Sequence, residues 1–146
     1  VASTINRLVS FFPSEEQIQV RARLADNLKA VVSLRLLANK RQNGRVPAVE
    51  VMRSTRSIQE CIKDPARTHE ITEYIAKGRA EQMQTFDQHL LDLLKANKIT
   101  VEGALNAASN PTDFQTRLEM EGLIHDDDQV DAKPEEPFDI EPDERF

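Results

Sequence analysis

The hydrophobic period of this chain changes once. Between Ala30 and Leu37, Val32, Leu34 and Leu36 alternate with Val31, Ser33, Arg35 and Leu37, and this period of two, rich in β-branched residues, predicts a strand. Gln42-Asn43-Gly44 supplies a turn, and Val46 to Met52 reads as the second strand of a hairpin. Pro47 has no N–H to give to a ladder, so its strand lies at an edge or turns its hydrogen bonds to the other side. Elsewhere the apolar residues recur at three and four. The pattern implies an α+β fold, mainly helical: a β-hairpin with flanking helices, followed by a bundle of short helices.

Ile5, Leu8, Val9 and Phe12 place one stripe on a first helix that Pro13 ends. Ser14-Glu15-Glu16-Gln17 reads as a capping box opening a second helix, with Ile18, Ala22, Ala25 and Leu28 turned inward. After Ser54 one short helix carries Ile58, Cys61 and Ile62, and another, beyond Pro65, carries Ile71, Tyr74 and Ile75 up to Gly78. Thr85 caps a helix bearing Phe86, Leu90, Leu93 and Leu94; Thr100 caps the next, with Val101, Ala104, Leu105 and Ala108. Asn110-Pro111-Thr112-Asp113 combines an N-cap, a proline at the first helical position and an early acid, opening a last helix through Phe114 and Leu118 to Gly122.

Charge divides the chain unevenly. The 146 residues sum to -6. Ten acids between Asp126 and Phe146 face only Lys133 and Arg145, a balance of -8, which leaves 17 basic and 15 acidic residues, or +2, in 1–125. With Pro134, Pro137 and Pro142 among those acids and few large apolar residues, 126–146 is expected to be a disordered acidic tail. A single cysteine, Cys61, excludes an intrachain disulfide framework and suits a reducing compartment. No apolar run approaches the roughly 18 residues a membrane span needs, so direct membrane insertion is not expected. The chain begins at Val1 within a helical pattern, and further sequence upstream is expected.

Chemistry is sparse. Four glycines, none in a glycine-rich loop, provide no phosphate cradle. His69 and Glu73 share a helix face and His125 adjoins three aspartates, but two ligands do not make a metal site, so no metal ligands are assigned; His89 is read as a helix residue and nothing more. Cys61 falls on an apolar stripe and reads as a buried structural thiol. No catalytic or cofactor-binding residue is assigned. Lys40, Arg41 and Arg45 at the hairpin, with Arg53 and Arg56 beyond it, form a mild basic grouping; Arg45, Arg53 and Arg56 are the candidate interface. With so small a body charge and only seven aromatic residues, six Phe and one Tyr, nucleic acid is not an expected partner.

Four segments in series carry a resemblance. Asn6-Arg7-Leu8-Val9-Ser10-Phe11-Phe12-Pro13, Asn27-Leu28-Lys29-Ala30-Val31-Val32-Ser33, Gly44-Arg45-Val46-Pro47-Ala48-Val49-Glu50-Val51-Met52 and Met83-Gln84-Thr85-Phe86-Asp87-Gln88 resemble, in order, the C-terminal part of the PilT/PilU type IV pilus retraction ATPases. The resemblance implies a parent with a RecA-like P-loop ATPase domain, binding ATP and Mg through motifs upstream of Val1 and forming a hexameric homo-oligomer. It implies a cytoplasmic ring at the inner-membrane base of the pilus machine, with a related motor ATPase as a further partner. Residues 1–53 would then end the RecA-like core, 54–125 would be a C-terminal helical subdomain and 126–146 the tail. The family's retraction-associated helix, Ala-Ile-Arg-Asn-Leu-Ile-Arg-Glu, falls on Ser57 to Asp64: Ile58 and Ile62 match and Lys63 and Asp64 keep the charge, whereas Ser57, Gln59, Glu60 and Cys61 depart. Gln82 stands where the family has glycine, which restricts that turn. The alternative from another class is a stand-alone helical interaction adaptor with an acidic tail.

Overall fold

The computed structural model describes residues 1–41 and 44–124. Helices α1 (Ala2–Val9) and α2 (Gln17–Asn27) precede an antiparallel hairpin of β1 (Ala30–Ala38) and β2 (Arg45–Arg53). Then come α3 (Arg56–Lys63), α4 (Ile71–Lys77), α5 (Phe86–Lys95), α6 (Val101–Ala107) and α7 (Pro111–Met120), with 3₁₀ turns over Pro65–Glu70 and Gly78–Glu81. The fold is α+β and mainly helical, as the single change of period predicts. Gln42 and Asn43 of the expected turn, His125 and the expected tail lie outside the described residues.

Helix starts follow their capping residues. Thr85 makes a full capping box, its hydroxyl accepting from Gln88 N at 3.2 Å while its own N–H donates to Gln88 Oε1 at 3.0 Å. Thr100 accepts from Gly103 N, and Asn110 from Asp113 N with Pro111 at the first helical position. Two helix ends close through left-handed residues that return orphan amides to the last turn. Asn97 (φ 56°) ends α5, with Lys98 N donating to Leu93 O, and Gly122 (φ 66°) ends α7, with Leu123 N donating to Leu118 O.

The N-terminal helices depart from their sequence pattern. The Ser14 box does not form: residues 14–16 make a turn, α2 starts at Gln17 without a side-chain cap, and Gln17 Nε2 donates to Phe12 O instead. Starting later, α2 turns Arg21, Leu24, Ala25 and Leu28 inward, and Ile18 is 75% exposed. Helix α1 ends at Val9, and Ile5 and Val9 are buried while Leu8 and Phe12 are a little under half exposed.

Two hydrophobic clusters share the hairpin. One joins Ile5, Ala25, Met52, Ile58, Cys61, Ile62, Ile71, Ile75 and Met83. The other gathers Phe86, Leu90, Leu91, Ile99, Ala104, Phe114, Leu118 and Ile124 around Ala48. Met52 and Ala48 are on the same face of β2, so one strand face seats both helical groups.

Candidate functional site

The hairpin has two edges, and they are treated differently. Along β2, Val51 N donates to Gln84 O at 2.8 Å and Gln84 N returns a bond to Val51 O at 3.0 Å. Gln84 Nε2 donates to Val49 O at 2.9 Å, and Val49 N donates to Nδ1 of His89 at 2.8 Å. The backbone groups of Val49 and Val51 therefore face away from β1, and Pro47, two residues on, has the same orientation. Its missing N–H removes no bond from the ladder, which is the second of the two outcomes its presence allowed. The outer edge of β2 is closed. His89, read from sequence as a plain helix residue, is one of its closures, and its Nδ1 must be unprotonated to accept.

The same parity leaves β1 open. Val32, Leu34 and Leu36 are opposite Val51, Val49 and Pro47, so their N–H and C=O groups point away from β2. Among the described residues nothing pairs with them. Their side chains are also free, at 65%, 57% and 54% exposure, and with Val49, Val51 and Pro47 they form the apolar middle of an outer face that Arg45 and Arg53 bound at its ends. The inner face, by contrast, carries Ser33 and Arg35 and is opposite buried Glu50. Arg35 is accommodated by stacking its guanidinium 4.5 Å from the Phe86 ring centroid and donating to Ala107 O at 2.7 Å. Glu50 Oε2 accepts from Val1 N at 2.8 Å. The more apolar of the two faces thus looks outward, beside an unpaired strand edge.

The expected interface arginines do not form one patch. Arg45 and Arg53 are at opposite ends of β2, about 27 Å apart at strand rise. Arg53 donates to Glu81 O at 3.3 Å, and Arg56 makes an exposed pair with Glu60 at 3.6 Å. Arg45 instead joins Arg35 and Lys40 along a groove of about 1160 Å³ between the hairpin end and α6.

In α3, Ile58 and Ile62 are fully buried with Cys61 between them. Lys63 pairs with Asp26 of α2 at 2.8 Å, and Asp64 Oδ1 accepts from Ala66 N at 2.9 Å, capping the following 3₁₀ turn. The helix is further pinned by Arg21, whose guanidinium donates to Ile62 O, Thr68 Oγ1 and Asn6 Oδ1. Sequence reading missed Arg21 because it placed Ile18 on the inner face. Burial pushes the Cys61 thiol up, with Arg67 opposing it in part, which keeps thiolate scarce. Among the described residues no three His, Cys, Asp or Glu side chains gather as a metal cluster, and no helix is long and apolar enough to cross a membrane.

No family profile matches the chain. It is 35% identical over 109 residues to a twitching motility protein of Neisseria gonorrhoeae, covering 75% of this chain and 29% of that one. It is 31% identical over 116 residues to the type IV pilus ATPase PilU of Pseudomonas aeruginosa, covering 80% and 30%. To the retraction ATPase PilT of the same organism it is 35% identical over 113 residues, covering 77% and 32%. The crystal structure of the pilus retraction motor PilT with bound ADP superposes with a TM-score of 0.64 at 33% identity, covering 80% of this chain and 32% of that one. The chain thus spans under a third of the length of these relatives, aligned to their C-terminal part. In sequence over about four-fifths of its length, and in fold, it belongs to the PilT/PilU family of type IV pilus ATPases.

Proposed function

We propose that the chain acts as the C-terminal part of a type IV pilus retraction motor, a hexameric ATPase ring at the cytoplasmic side of the inner membrane. ATP and Mg are held by a RecA-like catalytic part that this sequence does not include. Residues 1–53 complete that part's sheet, and 54–125 form a helical subdomain that transmits ring motions to the pilus machine and a companion motor. Relatives named for twitching motility and retraction support the reading.

The observation that carries it is the asymmetry of the hairpin. Exposed apolar patches on soluble proteins mark surfaces that another surface covers, and an unpaired strand edge is a template for a further strand. With β2 closed by Gln84 and His89, a sheet can continue only past β1. The catalytic part supplies the strand and the apolar layer that meet Val32, Leu34 and Leu36. A stand-alone adaptor would leave this face in water.

Nucleotide turnover separates the two readings. The purified 146-residue chain should hydrolyse no ATP, and the longer protein that contains it should. Turnover by the chain alone, free of contaminants, overturns the assignment of catalysis to another part. A native protein in which no P-loop part is joined to or assembles with this chain overturns the motor reading itself.

A further inference from the structure

The basic groove at the hairpin end adjoins the apolar face, sharing Leu36 with it, and its cations have no carboxylate partner among the described residues. Arg35, Lys40 and Arg45 line it with Leu36, Leu37 and Ala107. Among the described residues none of these three cations is within 4.0 Å of a carboxylate, as is also true of Arg7, Arg23, Lys29, Arg53 and Arg117; what sets the three apart is that they line one groove. Among the described residues Lys40 gives its ammonium to the Asn97 amide oxygen alone, and Glu102 is the single acid on the groove wall.

We infer that the chain's own acidic segment, residues 126–146, occupies this groove in the same molecule. Charge is the first argument: the segment carries -8, most of it between Glu135 and Glu144, against a cluster of unpaired cations on a body of only +2. Apolar pattern is the second. Phe138-Asp139-Ile140-Glu141 alternates large apolar groups with acids, and the groove offers Leu36 and Leu37 as well as its basic side chains. The point of departure is the third. Ile124, two residues before Asp126, is buried in the cluster against which Leu37 and Ala107 of the groove also pack. A tether of about 20 residues spans up to roughly 70 Å, so the segment reaches the groove easily and meets it at an effective concentration in the millimolar range. Composition that cannot build a core of its own can still lie along a surface of opposite charge.

Carbodiimide coupling of the full 146-residue chain tests this, because it joins an amine to a carboxylate in direct contact without a spacer. The expected products link Lys40 to carboxylates between Glu135 and Glu144, within one chain when 15N-labelled and unlabelled protein are mixed. Their yield should fall about fivefold between about 0.1 M and about 1 M salt, as the screening length drops from about 10 Å to about 3 Å. Arg45→Glu, at an exposed position outside both clusters, should lower the Lys40 product about threefold with the far-UV spectrum unchanged. Tail carboxylates coupling equally to Lys29, Lys63 and Lys77 would overturn the inference, as would no coupling to the tail. Mixed-isotope products would place a second copy's tail in the groove and overturn the intramolecular assignment. An unchanged yield in Arg45→Glu would do the same for the groove.

Discussion

Leu34→Lys should behave in opposite ways in two contexts. Leu34 is at the centre of the outward face, opposite Val49 and 57% exposed. In the 146-residue chain its side chain already meets water, so a lysine there should change stability by no more than about 0.5 kcal/mol, as for most surface substitutions. In the longer protein proposed above, a strand and an apolar layer against β1 would remove the remaining exposure. Full burial of a leucine contributes about 1.5–3 kcal/mol, and the fraction still exposed here accounts for about 1–2 kcal/mol of that. A lysine at a covered site also loses hydration of its ammonium, a further penalty of several kcal/mol unless the charge escapes along its stem. The total is at least about 3 kcal/mol, more than a hundredfold in a two-state equilibrium. Urea unfolding followed by circular dichroism measures the first context; unfolding, ring assembly and ATP turnover of the longer protein measure the second. Small effects in both would refute the covered-face argument. A loss above about 2 kcal/mol in the chain alone would show that Leu34 is already packed within it.

Other perturbations probe the interior. Arg21→Met should cost about 1–3 kcal/mol in urea unfolding, because it strands Ile62 O, whereas Thr68 Oγ1 keeps its bonds to Cys61 O and Asp64 O and exposed Asn6 turns to water; a loss under about 0.5 kcal/mol would mean that water replaces the guanidinium freely. His89 should be found by 15N NMR as the tautomer with hydrogen on Nε2, and His89→Ala should cost about 1–3 kcal/mol by orphaning the Val49 amide; hydrogen on Nδ1 would contradict the edge closure. Gln82→Gly should stabilise by about 0.5–1 kcal/mol, since Gln82 is left-handed at φ 61°, where a side chain carries about 1–2 kcal/mol of strain, partly offset by glycine's greater chain entropy. A destabilised Gln82→Gly would mean that the side chain has a role beyond its backbone angle. Arg67 and Lys95 hold the carboxyls of Glu70 and Glu121 below the ordinary range, so the stability these pairs contribute is present above the carboxylate range and is lost as pH falls through the lowered values; acid unfolding of Glu70→Gln and Glu121→Gln should be correspondingly less steep.

Local chemistry was readable wherever a single residue type decides the outcome. Thr85, Thr100 and Asn110 cap their helices because a short oxygen beside free amides has few better partners. Ile58, Cys61 and Ile62 are buried because their spacing allows them one face. The hidden features all depend on residues distant in sequence. Ser14 satisfies the capping rule, yet the turn over 14–16 delays α2 and rotates Ile18 outward and Arg21 inward, where acceptors from α1, α3 and the turn after it converge. His89 serves β2 from 40 residues away, and nothing in its helical neighbours encodes that bond.

The two faces of β1 show why such limits are physical. Alternation separates Val32-Leu34-Leu36 from Val31-Ser33-Arg35-Leu37 without saying which set helices cover, and hydrophobicity alone would select the first. The structure selects the second: Arg35 stacks on Phe86, Ser33 is opposite buried Glu50, and the three aliphatic residues face solvent. Hydrophobic patterning reports the burial of a residue in the whole assembly to which its sequence is adapted. The pattern and the observed burial disagree on β1, as they do at Leu8, Phe12 and Ile18 of the N-terminal region, and agree on the helices after β2; the proposed catalytic part would cover the β1 surface where they disagree. On β1 the exposed aliphatic side chains stand normal to the sheet while the backbone groups unpaired among the described residues lie in its plane, so two adjoining surfaces of the same strand lack a cover. That coincidence, with relatives about three times as long as the matched region, makes the continued sheet a stronger reading than either feature alone.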